Sequence, residues 1–161
     1  MTSWRAASVD DDAALALLAE YFSSRAQGFP ASQGAYRTAF PSAAQFEPPQ
    51  GVFLVVEGED LAGEAADVGC GGIRWLDLAD DISTFELKHL WLQPHVRGVG
   101  LGRALLAELE SRARGFGGQR LVLDTNDSLI AAGGLYRASG FVEIEPYNDN
   151  ANATRWFAKA L

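Results

Sequence analysis

Six consecutive residues, Arg97-Gly98-Val99-Gly100-Leu101-Gly102, have the composition of an anion cradle. Glycine has no Cβ, so three of them leave backbone N–H groups open to a ligand. The helical run that begins at Leu101 points its positive end at the same place. A phosphate-bearing ligand suits that arrangement. Two familiar glycine loops do not fit. A P-loop needs Lys-Ser/Thr after its last glycine, and Gly102 is followed by Arg103-Ala104. A dinucleotide fingerprint could start at Gly98-Val99-Gly100, with Asp124 as the ribose-binding acid at the end of the next strand. However, Arg103 occupies its third glycine position, and Gln93 to Arg97 intrude between strand and loop. The other reactive residue types carry weaker signals. Two histidines and one cysteine without ligand spacing make a metal site improbable. Cys70, between Gly69 and Gly71, reads as a small buried residue rather than an acyl-carrying nucleophile. His89 alternates with Leu87 and Trp91 and so faces a core, unless a bulge reverses the facing. His95 follows Pro94 at the solvent-exposed edge of the loop.

Such a loop needs a strand before it and a helix after it, and the pattern supplies both. Thr84 to Leu92 reads as a strand, Leu101 to Gly115 as a helix with the stripe Leu101, Leu105 and Leu109, and Arg120 to Thr125 as a strand. Upstream, Ser3 to Ser8 is a short strand, and Asp10 or Asp11 caps a helix through Ser24. Ala31 to Ala43 is a second helical stretch, and Val52 to Glu57 and Val68 to Leu76 are strands. Downstream, a helix from Ser128 to Ser139 closes at Gly140. Phe141 to Pro146 and Ala153 to Lys159 form a final hairpin around Asn148-Asp149-Asn150. The expected order is β-α-α-β-β-β-α-β-α-β-β, an α/β mixed sheet with helices on both faces.

Arg-x-x-Gly-x-Gly, preceded by Leu-Trp-Leu-Gln-Pro and followed by Ala-Leu-Leu-Ala-Glu-Leu, resembles the coenzyme A loop of the GNAT family of N-acetyltransferases. Leu135-Tyr136-Arg-Ala-Ser-Gly140-Phe141 is similar to that family's Leu-Tyr-x-x-x-Gly-Phe segment, and Gly51 to Leu161 carries the stronger part of the likeness. The resemblance implies one domain over residues 1–161, with a mostly antiparallel sheet whose fourth and fifth strands splay apart. It implies that acetyl-coenzyme A lies in the resulting cleft. The pyrophosphate would rest on Arg97, Gly98, Val99, Gly100, Gly102 and Arg103, and the pantetheine arm would pair with the backbones of Leu90 and Leu92. The family's asparagine seven residues before the tyrosine is replaced here by Leu129. Asn126, three residues earlier, is the amide nearest that position.

Acetyl transfer to an amine asks for a neutral amine, a donor to the developing oxyanion and a proton for the departing thiolate. Deprotonating a lysine-like amine at pH 7 costs about 4.6 kcal/mol, whereas protonating a thiolate of pKa near 8.5 is favourable by about 2 kcal/mol. A base therefore has more to offer than an acid. The resemblance makes Glu86 the base candidate, with a salt bridge to Lys88 or an arginine as the competing role, and Tyr136 the acid candidate. A backbone N–H at Leu92 would serve the oxyanion. The function implied is transfer of acetyl to a primary amine, small molecule or protein, by direct attack in a ternary complex. The alternative is a non-catalytic acyl-coenzyme A-binding sensor or interaction module. Acceptor walls are expected from Tyr21 to Phe46 and from the final hairpin, including Tyr147, Asn148 and Asn150.

At 161 residues and 48% hydrophobic, the chain has enough core for one domain. A net charge of −8 disfavours nucleic acid. Between Glu86 and Arg120 the balance reverses, with six Lys or Arg against three acids. Arg112 and Arg114 read as a solvated helix face, and the acidic remainder would suit a cationic acceptor. No membrane span or signal peptide is apparent, so a cytoplasmic location without membrane contact is expected. Homodimers are common in the resembled family, and Trp156 or Phe157 is the candidate contact if exposed.

Overall fold

The computed structural model describes residues 2–161. Its elements are β1 (Ser3–Ala6), α1 (Asp12–Gly28), β2 (Gly51–Glu59), β3 (Ala65–Leu76), β4 (Thr84–Leu92), α2 (Leu101–Gly115), β5 (Arg120–Thr125), α3 (Ile130–Ala138), β6 (Val142–Ile144) and β7 (Arg155–Ala160). The strands form one sheet in the order β1-β2-β3-β4-β5-β7-β6. All neighbours are antiparallel except β4 and β5. β4, α2 and β5 have the boundaries expected from their periodicity, because each has a clean apolar stripe bounded by glycine or turn residues.

The expected helix at Ala31 to Ala43 does not form. Only a turn of 3-10 helix at Ala31–Gln33 and another at Ala43–Phe46 are regular. Gly34 adopts φ 93, and Pro41 removes a backbone donor, so the helix is broken from within. The segment between is held from outside instead. The Arg37 N–H donates to Asn152 Oδ1 at 2.9 Å, and Asn152 Nδ2 donates to the Arg37 carbonyl at 2.7 Å. α1, by contrast, is longer than its sequence pattern predicts. The helix continues past Ser24 to Gly28, stopping just short of Pro30, and the added turn carries Arg25.

Helices cover both faces of the sheet. On one face α2 buries Leu105, Leu106 and Leu109 against Leu87, Leu121, Leu123 and Phe157. Each such leucine contributes about 2 kcal/mol of burial. On the other face α1 packs Leu17, Leu18 and Phe22 with Phe46, Phe53, Val55 and Cys70. Phe157 is only 1% exposed, and the Trp156 indole donates to Asn148 Oδ1 at 2.9 Å, so neither residue is a free surface aromatic. No helix among the described residues is long and apolar enough to cross a membrane.

Pairing of β4 with β5 covers Thr84 with Arg120, Phe85 with Leu121 and Glu86 with Val122. Beyond that point the strands separate, while β5 stays paired with β7 along its whole length. The divergence opens the middle of the sheet.

Candidate acetyltransferase site

A bulge in β4 decides which side chains meet the opening. Lys88 lies opposite Gly72 and Trp91 opposite Cys70, so β4 uses one residue more than β3 across this stretch. His89 absorbs the excess with φ 59, a left-handed conformation rare outside glycine. The facing reverses as a result. His89 and Trp91, which strict alternation would place beside Leu87, turn to the α1 face, and Leu90 and Leu92 pack on the α2 side. His89 sits among the rings of Tyr21, Phe22 and Phe46 at 5.4, 5.5 and 6.0 Å.

Burial, with the charges of Lys88 and Arg74, pushes the His89 imidazole down to about 3. The unfolded chain takes up a proton near 6.5, and the folded chain refuses it until about 3. Stability is therefore full above pH 6.5 and falls as pH drops through this window. Urea unfolding at pH 7 and pH 5 should show the fall. His89→Asn, which tolerates the left-handed backbone, should flatten it.

A cavity of about 930 Å³ occupies the split in the sheet. At one end lie Leu90, Leu92, Arg97, Gly98, Gly100, Gly102 and Arg103, together with Leu129 and Tyr136 of the facing wall. Gly98 and Gly100 adopt φ 81 and 87 and have no heavy atom within 4 Å of where a Cβ would stand. Gly100 begins α2 without a side-chain cap, so the first-turn N–H groups have no intrahelical acceptor. Val99 projects outward, 80% exposed. Arg97 is already engaged. Its Nε donates to the Leu92 carbonyl at 2.8 Å, and its guanidinium lies 4.7 Å from the Trp91 ring centre. Arg103 is exposed and has no carboxylate partner among the described residues.

At the other end are Tyr21, Phe22, Arg25, Tyr36, Arg37, Phe40, Arg74, Lys88, Asp124, Asn148, Asn150 and Asn152. Asp124 reaches this space because it alternates with the core residue Leu123 on β5. Lys88 Nζ lies 3.5 Å from its Oδ1, and Asn148 Nδ2 donates to its Oδ2 at 2.7 Å. Burial alone would raise its pKa. Lys88 and hydrogen bonds from Asn148 and Asn150 outweigh that and hold the carboxyl below its usual 3.8.

Two sequence candidates do not join this group. Glu86 is 1% exposed and lies behind the cavity wall. Its Oε1 accepts from Arg74 Nε and Nη2 at 3.0 and 2.8 Å, and its Oε2 accepts from the Tyr147 hydroxyl at 2.7 Å. The salt bridge expected as the competing role of Glu86 is thus made, with Arg74 as the arginine and the carboxylate buried. Asn126 is fully buried, its Nδ2 donating to Gln33 and to the Asn152 carbonyl and its Oδ1 accepting from the Ser128 N–H. It ties the exit of β5 to the cavity walls instead of facing the cavity.

Tyr136 is 7% exposed, packed against Phe141 and Phe157, and reaches the cavity. Burial pushes its phenol above the ordinary value, so it stays protonated at neutral pH. Cys70 is fully buried, and its thiol is pushed up by the same cause. His95 is exposed, with Nε2 2.9 Å from the Glu59 carbonyl. Sequence reasoning did not single out Arg25, which lies just beyond the expected helix end at Ser24 and within the added turn that carries α1 to Gly28. It also passed over Asp124 as a cavity acid, although a lone carboxylate in the apolar run Leu121 to Thr125 was the available signal.

Comparison with known proteins agrees with this geometry. The profile of the Acetyltransferase (GNAT) family matches residues 13–141. An uncharacterized N-acetyltransferase of Schizosaccharomyces pombe is 32% identical over 106 residues, covering 66% of this chain and 61% of that protein. A Klebsiella pneumoniae structure assigned as an acyl-CoA N-acyltransferase superposes with a TM-score of 0.74 at 26% identity, covering 100% of this chain and 98% of that one. A GNAT acetyltransferase of Elizabethkingia anophelis, solved with acetyl-CoA bound, shares the fold with a TM-score of 0.63 at 16% identity, over 99% of this chain and 98% of that one. With a family profile spanning most of its length and a sheet split beside a glycine-rich helix start, the chain belongs to the GNAT family of acetyltransferases.

Proposed function

We propose that this chain transfers acetyl from acetyl-coenzyme A to a primary amine by direct attack within a ternary complex. The observation that carries this reading is one continuous cavity, which joins an uncapped glycine cradle to a polar end lined by Asp124. The residues fit the coenzyme, since the bare backbone at Gly98 and Gly100 allows the close approach that a pyrophosphate requires. The N–H groups from Gly98 to Arg103 would hold the diphosphate, with the Arg103 side chain as the available cation. The edge of β4 that β5 leaves open at Leu90 and Leu92 would pair with the pantetheine arm. When bound, the coenzyme supplies an activated acyl group as a thioester.

The chain's own residues prepare the amine. Arg25 and Arg37, which pair with no carboxylate among the described residues, leave this end of the cavity cationic, which lowers the pKa of an amine held there. Asp124, ionised at neutral pH, accepts a hydrogen bond from that amine. Its low proton affinity makes it a relay that passes the proton to solvent through the open cavity, rather than a store. Glu86 acts at one remove by fixing Arg74 and the Tyr147 hydroxyl. Cys70, buried and protonated, offers no acyl carrier, which favours direct attack over a ping-pong route.

Tyr136 offers its hydroxyl as a hydrogen-bond donor to the leaving sulfur. Because its pKa is raised, it helps as a donor more than as a full acid, so Tyr136→Phe should lower turnover by about 10- to 100-fold. Thiol release from acetyl-coenzyme A across a panel of amines tests the whole reading. Coenzyme binding without thiol release would instead indicate a non-catalytic acyl-coenzyme A binder.

A further inference from the structure

We infer that the acceptor amine also carries a carboxylate, which Arg25 receives, so that the acceptor is an amino acid with an apolar side chain. This rests on the acetyltransferase reading above. Arg25 lies in the last turn of α1 and borders the cavity. Its guanidinium sits 5.1 Å from the Tyr36 ring centre, and its Nη1 is buried without a hydrogen-bond partner. No carboxylate among the described residues pairs with Arg25 or with its neighbour in the wall, Arg37. The other two cations at this end are compensated, Arg74 by Glu86 and Lys88 by Asp124. Two positive charges therefore remain unmatched at the acceptor end of a protein whose net charge is −8.

That excess calls for more than the simple cationic acceptor that overall charge would suit. A bare amine would meet net repulsion there, whereas an amine bearing a carboxylate would neutralise it. Guanidinium presents a planar fork that matches a carboxylate with two parallel hydrogen bonds, and the Tyr36 ring holds that fork in place. Tyr21, Arg25 and Asp124 line the same cavity, so both ends of one small molecule can be served within it. The rings of Phe22 and Phe40, 4.9 Å apart, add an apolar surface for the side chain.

The test compares kcat/KM for phenylalanine and leucine with that for phenethylamine and isopentylamine, their decarboxylated counterparts, at saturating acetyl-coenzyme A. The wild type should prefer the amino acids by at least about 100-fold, because a site built for a polar group rejects the analogue lacking it. Arg25→Met should collapse that ratio toward unity, mainly through KM for the amino acid. Arg25→Lys, which keeps the charge but not the fork, should restore part of it. A wild-type preference for the decarboxylated amines would overturn the inference. So would an Arg25→Met variant that loses activity on both classes equally, as a purely structural arginine would. Calorimetric titration with acetyl-coenzyme A separates the two levels of failure. Absence of coenzyme binding, or of thiol release with every amine, defeats the acetyltransferase reading and this inference with it. Release with decarboxylated amines alone defeats only the carboxylate site.

Discussion

Gly100→Val is expected to weaken acetyl-coenzyme A binding by at least about 100-fold, close to 2.8 kcal/mol. Gly100 holds φ 87 at the start of α2, where its backbone turns the chain into the helix and helps aim the first N–H groups outward. A β-branched residue pays roughly 1–2 kcal/mol to keep that left-handed conformation. If the loop relaxes, the N–H groups rotate away from the phosphates. If it holds, the new side chain stands where the ligand must approach. Either response harms binding, yet no neighbouring atom lies within 4 Å, so the core is untouched. Isothermal titration should show the loss beside an unchanged circular dichroism spectrum. Gly102 makes the instructive contrast. It is helical, and a Cβ there would make only ordinary 3.6 Å contacts with Leu135 and Leu92, so Gly102→Ala should bind within a few-fold of wild type. Wild-type affinity in Gly100→Val would remove the loop from the binding site.

Asp124→Asn should lower turnover by about 100- to 1000-fold at pH 7, within the range of general-base effects. The amide keeps the shape and can still meet Asn148, but it cannot take a proton from the amine. Because its pKa lies below 3.8, Asp124 itself stays ionised from pH 5 upward, and the pH dependence belongs to the acceptor. The deficit should therefore shrink as the pH approaches about 10, where the amine loses its proton unaided. Glu86→Gln is the matching control. Since its carboxylate meets Arg74 and Tyr147 rather than the cavity, its loss should be the same factor at every pH. A deficit in Glu86→Gln that is concentrated at neutral pH, with a constant one in Asp124→Asn, would exchange the two roles.

Much of this architecture is legible along the chain because it is set by near neighbours. The strand from Thr84, the loop from Arg97 and the helix from Leu101 follow from apolar period, glycine placement and the orphan N–H groups that every helix start provides. The same local rules placed Tyr136 on a helix ending at a glycine. They failed between Ala31 and Ala43, where composition suggested a helix and distant hydrogen bonds from Asn152 hold an irregular wall.

The division of labour among the carboxylates is of the other kind. Glu86 and Asp124 are both acids on adjacent strands. Only the point at which β4 and β5 part company, just after Glu86 and Val122, leaves one sealed and the other facing the cavity. His89 turns on a single extra residue that breaks the two-residue period, and no local pattern announces where a partner strand will be one residue shorter. Asn126 matches the expected amide in type, but pairing with Gln33 and Asn152 across the fold takes it out of the cavity. Sequence by itself thus determined the glycine loop and the elements around it, since their causes lie within a helical turn or a strand period. Tertiary structure decided which charged groups line the polar end of the cavity, because burial and pairing depend on residues tens of positions apart in the chain.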